Sequence, residues 1–262
     1  NKIKGHWRES KNQLESILEY DRQKNTPATL AIDYLNIAHL EYLRHRYPEA
    51  RGFIAMARPL FEKNNRWDGI IECQVLELKI ALAEFSPQKA GKIDTSFFRR
   101  QWERLGKDQK ILVSIVEITE NDSLKNKTNL IIEKLDQIHR KTSRYEITAL
   151  LLNRFQSPAL LELLKSLSTE LSQENKNYYY YEYFYLYYLH FCDIREIQEK
   201  EKERFNGVCY FFQENQRDLD PVIQKYKHAL DEKDTRYDVL KVRNWWGIIC
   251  SGKSPRMLLT AW

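Results

Sequence analysis

Apolar residues recur along most of the chain at the i, i+3, i+4, i+7 spacing of a helix with one buried stripe. The pattern is cleanest over residues 28–84. Leu30, Tyr34, Ile37, Ala38, Leu40 and Leu43 mark a helix over 28–45. Thr26-Pro27 predicts its start, with a hydroxyl to cap free N–H groups and a ring already at helical φ. Pro48 opens a second helix over 48–63 in the same way, and a third spans 66–85. Only His45 to Tyr47 separates the first two, which predicts a tight turn and antiparallel packing. Ala31, Ala38, Ala50 and Ala57 stand where two such helices would touch.

The same spacing predicts a helix over 6–24 and a shorter one over 95–105, closed by Gly106 as a C-cap. Helices follow over 108–120, 128–140, 143–155 and 158–173, with polar residues 120–129 as a link. The last are expected over 194–218, 220–232 and 237–250. Residues 177–192 carry an aromatic side chain at most positions. Their length and helical flanks favour a helix over a strand. Aromatic stripes at helical spacing usually form core, and a tyrosine-lined groove for a peptide is the alternative.

The order Ala31, Tyr34, Ile37, Ala38, Tyr42, Ala50, Ile54, Ala57 resembles the tetratricopeptide repeat, a helix–turn–helix unit of about 34 residues. Two departures stand out. The inter-helix turn lacks the usual small residue, and Pro59 falls inside the second helix, where it removes a hydrogen bond and is expected to kink the helix. The next run begins later than the family spacing, which is similar to tetratricopeptide-like solenoids of bacterial transcriptional activators and signalling ATPases. The resemblance implies an all-α fold, a right-handed superhelix of antiparallel helix pairs. Repeats are expected over 1–120, continuing or degenerate repeats over 121–252, and a tail or linker over 253–262.

Composition agrees with long helices and short links. The 262 residues include only 8 Gly and 7 Pro. Net charge is +5, from 42 basic and 37 acidic side chains whose signs are mixed along most segments. Phosphate-backbone binding usually needs clustered Lys and Arg, so charge argues weakly for nucleic acid. Cys73, Cys192, Cys209 and Cys250 share no C-x-x-C spacing and sit in apolar runs, so neither a metal site nor a disulfide framework is expected. A reducing, cytoplasmic setting follows as the default. No run is long and apolar enough to span a membrane. The start at Asn1 and the apolar end suggest a piece of something longer.

One motif points to chemistry. Gly247 to Ser254, with Gly252 and Lys253, fits the phosphate-cradling pattern G-x-x-x-x-G-K-[ST]. That loop needs a strand before it and a long helix after it, and DVLKVRNWW reads as helix. No H-E-x-x-H or G-x-S-x-G occurs, and no Arg precedes a His at the spacing of helical HEPN ribonucleases.

The sequence therefore reads as a non-enzymatic scaffold or regulatory module without cofactor or metal, binding a protein or peptide in a helical-repeat groove. Contact residues expected from the first helices of each pair are Asn36, His39, Tyr42, Tyr181 and Tyr185. One alternative is a nucleic-acid-associated domain using the tyrosines with Lys134, Arg140, Lys141 and Arg144. Another is a nucleotide-dependent regulator built on Lys253.

Overall fold

The computed structural model describes residues 7–24, 26–84, 93–121, 126–174, 177–192, 199–214, 217 and 219–233. These residues are all-α and contain no strand. Helices α1 (Trp7–Lys24), α2 (Pro27–Leu43), α3 (Tyr47–Lys63) and α4 (Trp67–Ala83) form the first half. A short α5 (Ser96–Arg100) and a 3-10 turn lead into α6 (Lys107–Glu120), α7 (Lys127–Asp136) and α8 (Lys141–Phe155). Then come α9 (Pro158–Gln173), α10 (Asn177–His190), α11 (Glu199–Glu214) and α12 (Pro221–Lys233). None of them is long and apolar enough to cross a membrane.

Helices α2, α3 and α4 are each 17 residues long and begin at residues 27, 47 and 67, a constant step of 20. The two links are built alike. His45 (φ 59°) and Asn65 (φ 53°) take the left-handed conformation just past each helix end. This lets the Arg46 N–H reach back to the Glu41 carbonyl, and the Arg66 N–H to that of Phe61, both at 2.9 Å. Such a reversal satisfies carbonyls that the helix end would leave open, and usually employs Gly or Asn. A glycine is therefore dispensable here, although His45 is an uncommon occupant.

Ala31, Ala38, Ala50 and Ala57 have no solvent exposure, which lets α2 and α3 approach closely. Between α3 and α4 the same role falls to Gly69, where a Cβ would overlap the Phe61 ring. Cys73 is buried as a small apolar side chain.

Two expectations are corrected, at Thr26 and Gly106. Pro59 lies inside α3, which runs through it to Lys63. Pro59 and Ala55 both lie on the exposed face, so the carbonyl left without its amide partner looks toward water. Thr26 makes no side-chain cap bond; its hydroxyl instead accepts one from Thr29 at 2.7 Å. Gly106 starts a helix rather than ending one. Its N–H donates to the Gln109 side chain at 2.9 Å, at the N-terminus of α6.

Helices α8, α9 and α10 pack in sequence order, and α4 lies against α8, so the two halves share one core. The tyrosine-rich α10 is the centre of the second half. Tyr178, Tyr179, Tyr181, Tyr183, Tyr185 and Tyr188 are all buried. Their hydroxyls find partners where they are enclosed: Tyr188 donates to Glu201 at 2.9 Å, and Tyr185 accepts the Asp220 N–H at 2.7 Å. Helix α1 also reaches the second half. The Trp7 ring of α1 packs edge-on to Tyr178 at 5.2 Å and stacks on Phe212 of α11 at 6.2 Å.

Candidate functional site

Helices α2, α4, α8 and α10 surround a cavity of about 400 Å³. Each contributes residues from a single face. His39, Tyr42 and Leu43 come from α2, and Lys79 from α4. Ser143, Glu146, Ala149, Leu150 and Asn153 come from α8, and Tyr178, Tyr179, Glu182 and Leu186 from α10. The α2–α3 turn adds His45 and the first residue of α3 adds Tyr47. A second depression of about 440 Å³ adjoins the first and shares Lys79, Arg140, Ser143 and Glu146 with it. It continues past Glu72 and Val75 of α4 to the start of α6. The two adjoin along those four residues.

Both carboxylates of the first depression are paired. Lys79 Nζ lies 2.9 Å from Glu146 Oε2. The Tyr42 phenol stays protonated because burial, and then the Glu146 charge, push its pKa up. Glu182 is enclosed, and burial raises its pKa against the pull of Arg217 and of a hydrogen bond from Tyr178.

Arg217, from the segment between α11 and α12, has no side-chain exposure and places Nη1 3.5 Å from Glu182 Oε1. Its guanidinium lies over the Phe212 ring at 4.1 Å and the Tyr185 ring at 4.7 Å. Its Nη2 donates to His45 Nε2 at 2.5 Å. Burial first, then the Arg217 charge, holds the His45 pKa well below the usual imidazole range. The ring is thus neutral and free to accept that bond. Arg140 differs from all of these. It is exposed at the rim where the two depressions join, and it forms no ion pair among the described residues.

The first depression therefore offers aromatic and aliphatic walls, carboxylates paired with Lys79 and Arg217, and at its entrance Arg140, which forms no ion pair among the described residues. Such an inventory is suited to holding a ligand. Among the described residues, no three His, Cys, Asp or Glu side chains stand together as a metal site.

Of the residues expected from sequence, His39 and Tyr42 line the cavity. Asn36, one turn back on α2, is half-buried and outside the wall. Tyr181 and Tyr185 are in the interior: Tyr181 stacks on Phe211 with centroids 4.1 Å apart, and Tyr185 lies under Arg217. The same helix sends Tyr178, Tyr179 and Glu182 to the cavity instead. Lys141 pairs with Glu170 at 2.7 Å, and Arg144 with Asp136. Lys134 is half-buried on α7. Gly247, Gly252, Lys253 and Ser254 lie outside the described residues, as does the segment 237–250.

Sequence reasoning missed His45, Lys79, Glu182 and Arg217. One signal was available: a histidine in a turn position that usually holds Gly or Asn. The Glu182–Arg217 pairing has no local signature, because it joins α10 to the segment between α11 and α12. The chain matches no protein-family model, no curated protein and no solved structure.

Proposed function

We propose that this chain is a protein-interaction scaffold of tetratricopeptide-like architecture, a right-handed array of helix pairs that binds a protein or peptide segment in the groove lined by α2, α4, α8 and α10. One observation carries the reading: alternate helices, not consecutive ones, turn one face each to two adjoining depressions. That is how a helical array offers an extended ligand a long surface. The 20-residue step of α2 to α4 and the unexposed alanines at the α2–α3 crossing support it. A regulatory or assembly role follows, with the bound partner determining the output.

The test is affinity capture by the whole chain from its native lysate at low and moderate salt, beside a Ser143→Trp chain whose groove is obstructed at the shared rim. A stoichiometric protein retained at moderate salt and lost with Ser143→Trp supports the scaffold. Nucleic acid released as salt rises, with no protein retained, overturns it.

A further inference from the structure

We infer that the groove's ligand is an extended peptide that inserts one large aromatic or branched aliphatic side chain into the cavity and places an adjacent acidic residue against Arg140. The inference rests on the groove reading above and names its ligand class.

Size sets the first half. Ligand pockets range over about 300–1,000 Å³, and this one, at about 400 Å³, is near the lower end. It admits a side chain or two, not a helix or a folded element. Leu43, Ala149, Leu150 and Leu186 line it together with the tyrosines, so an apolar side chain loses water there at little polar cost. A basic side chain would meet Lys79 and find no acid to pair with. Glu146 is taken by Lys79, and Glu182 by Arg217.

Charge sets the second half. Arg140 borders both depressions and has no acidic partner among the described residues. A peptide running from one depression into the other passes it. Lys107, whose Nζ contacts His139 Nε2 at 2.6 Å, stands farther along the second depression with Asp108 and Glu72, so Arg140 alone, beside the Lys79 paired with Glu146, carries the positive charge at the shared rim. The planar guanidinium suits a carboxylate in a two-bond geometry.

The experiment pans a phage-displayed random peptide library against the full chain at moderate salt. Enriched sequences are remade as fluorescein-labelled peptides and measured by anisotropy. Each is titrated against the parent chain, Arg140→Glu and Ala149→Phe, whose added ring fills the cavity. Matching circular dichroism and melting curves establish that each variant folds, and Ser143→Tyr at the half-buried rim replaces Ala149→Phe if that chain does not. The expected outcome is enrichment of an aromatic or branched aliphatic residue beside Asp or Glu. Affinity should fall about tenfold or more with Arg140→Glu, roughly 1.4 kcal/mol, and be lost when the cavity is filled. Peptides that need the open cavity but carry no acidic residue, or ignore Arg140→Glu, overturn this inference and leave the groove reading standing. Enriched peptides indifferent to the filled cavity, or no enrichment at all, overturn both.

Discussion

Replacing Arg217 with methionine tests the account of the groove's back wall. The side chain has no exposure, and methionine keeps much of its volume against the Phe212 and Tyr185 rings. What disappears is the charge facing Glu182. Removing one member of a buried ion pair costs about 3–5 kcal/mol, because the other is left in a medium that solvates it poorly. Loss of a desolvated cation over an aromatic face accounts for up to about 2 kcal/mol of that.

Glu182 has one escape, to take up a proton. Its pKa is already raised by burial, and without Arg217 it rises further. A carboxyl that binds its proton more tightly when folded adds stability at low pH and loses it as pH climbs through the folded pKa. The Arg217→Met defect should therefore be smaller near about pH 5 than near about pH 8. Adding Glu182→Gln should restore the part of the loss that comes from the unpaired carboxylate, with a coupling of about 2–3 kcal/mol between the two positions. The measurement is urea unfolding followed by far-UV circular dichroism, comparing midpoints at unchanged slope. A single-variant cost below about 1 kcal/mol, or a defect that does not vary with pH, would refute the reasoning.

Four further outcomes are expected. Gly69→Ala should cost about 1–3 kcal/mol by thermal unfolding, since the new methyl overlaps the Phe61 ring at the α3–α4 contact. Ala38→Leu should cost a similar amount, about 1–3 kcal/mol, by wedging α2 away from its neighbours. Burial, then the hydrogen bond and charge of Asp21, raise Asp33 from its ordinary value to about 6. Its contribution to stability is thus present at low pH and declines as pH rises from about 4 to about 6; melting temperatures of Asp33→Asn should lack that decline. His45 has the opposite sign. Its folded pKa is lowered, so stability falls as pH drops below about 6.5, and His45→Asn, which tolerates the left-handed backbone, should remove that acid-side loss in the same melts.

Much of the fold was legible because its signals are local. Proline starts and apolar periodicity placed α2, α3, α8 and α9 within a few residues of their observed bounds. The alanines at the α2–α3 crossing were visible as small residues at helical spacing. Errors arose at helix ends, where Thr26 makes no cap bond and Gly106 starts a helix instead of closing one. Pro59 is tolerated because it sits on the water-facing side of a helix held down by Ala57 and Phe61 on the other. The site was only half legible. His39 and Tyr42 follow from which face of α2 is free, but telling Tyr181 from Tyr178 on α10 requires knowing where α8 and α11 lie. Every face of that helix is aromatic, so its periodicity carries no direction.

The meeting of Trp7 with Tyr178 and Phe212 bears on how the chain is made. The seat for that indole comes from helices some two hundred residues downstream. At about 5–20 residues per second, a ribosome takes roughly 10–40 s to supply it. Through that interval α1 has its main aromatic anchor without a docking place, while α2 to α4 can already fold on one another. Until then the nascent chain carries an unseated tryptophan, a natural handle for chaperones and a point of vulnerability to stalling or truncation.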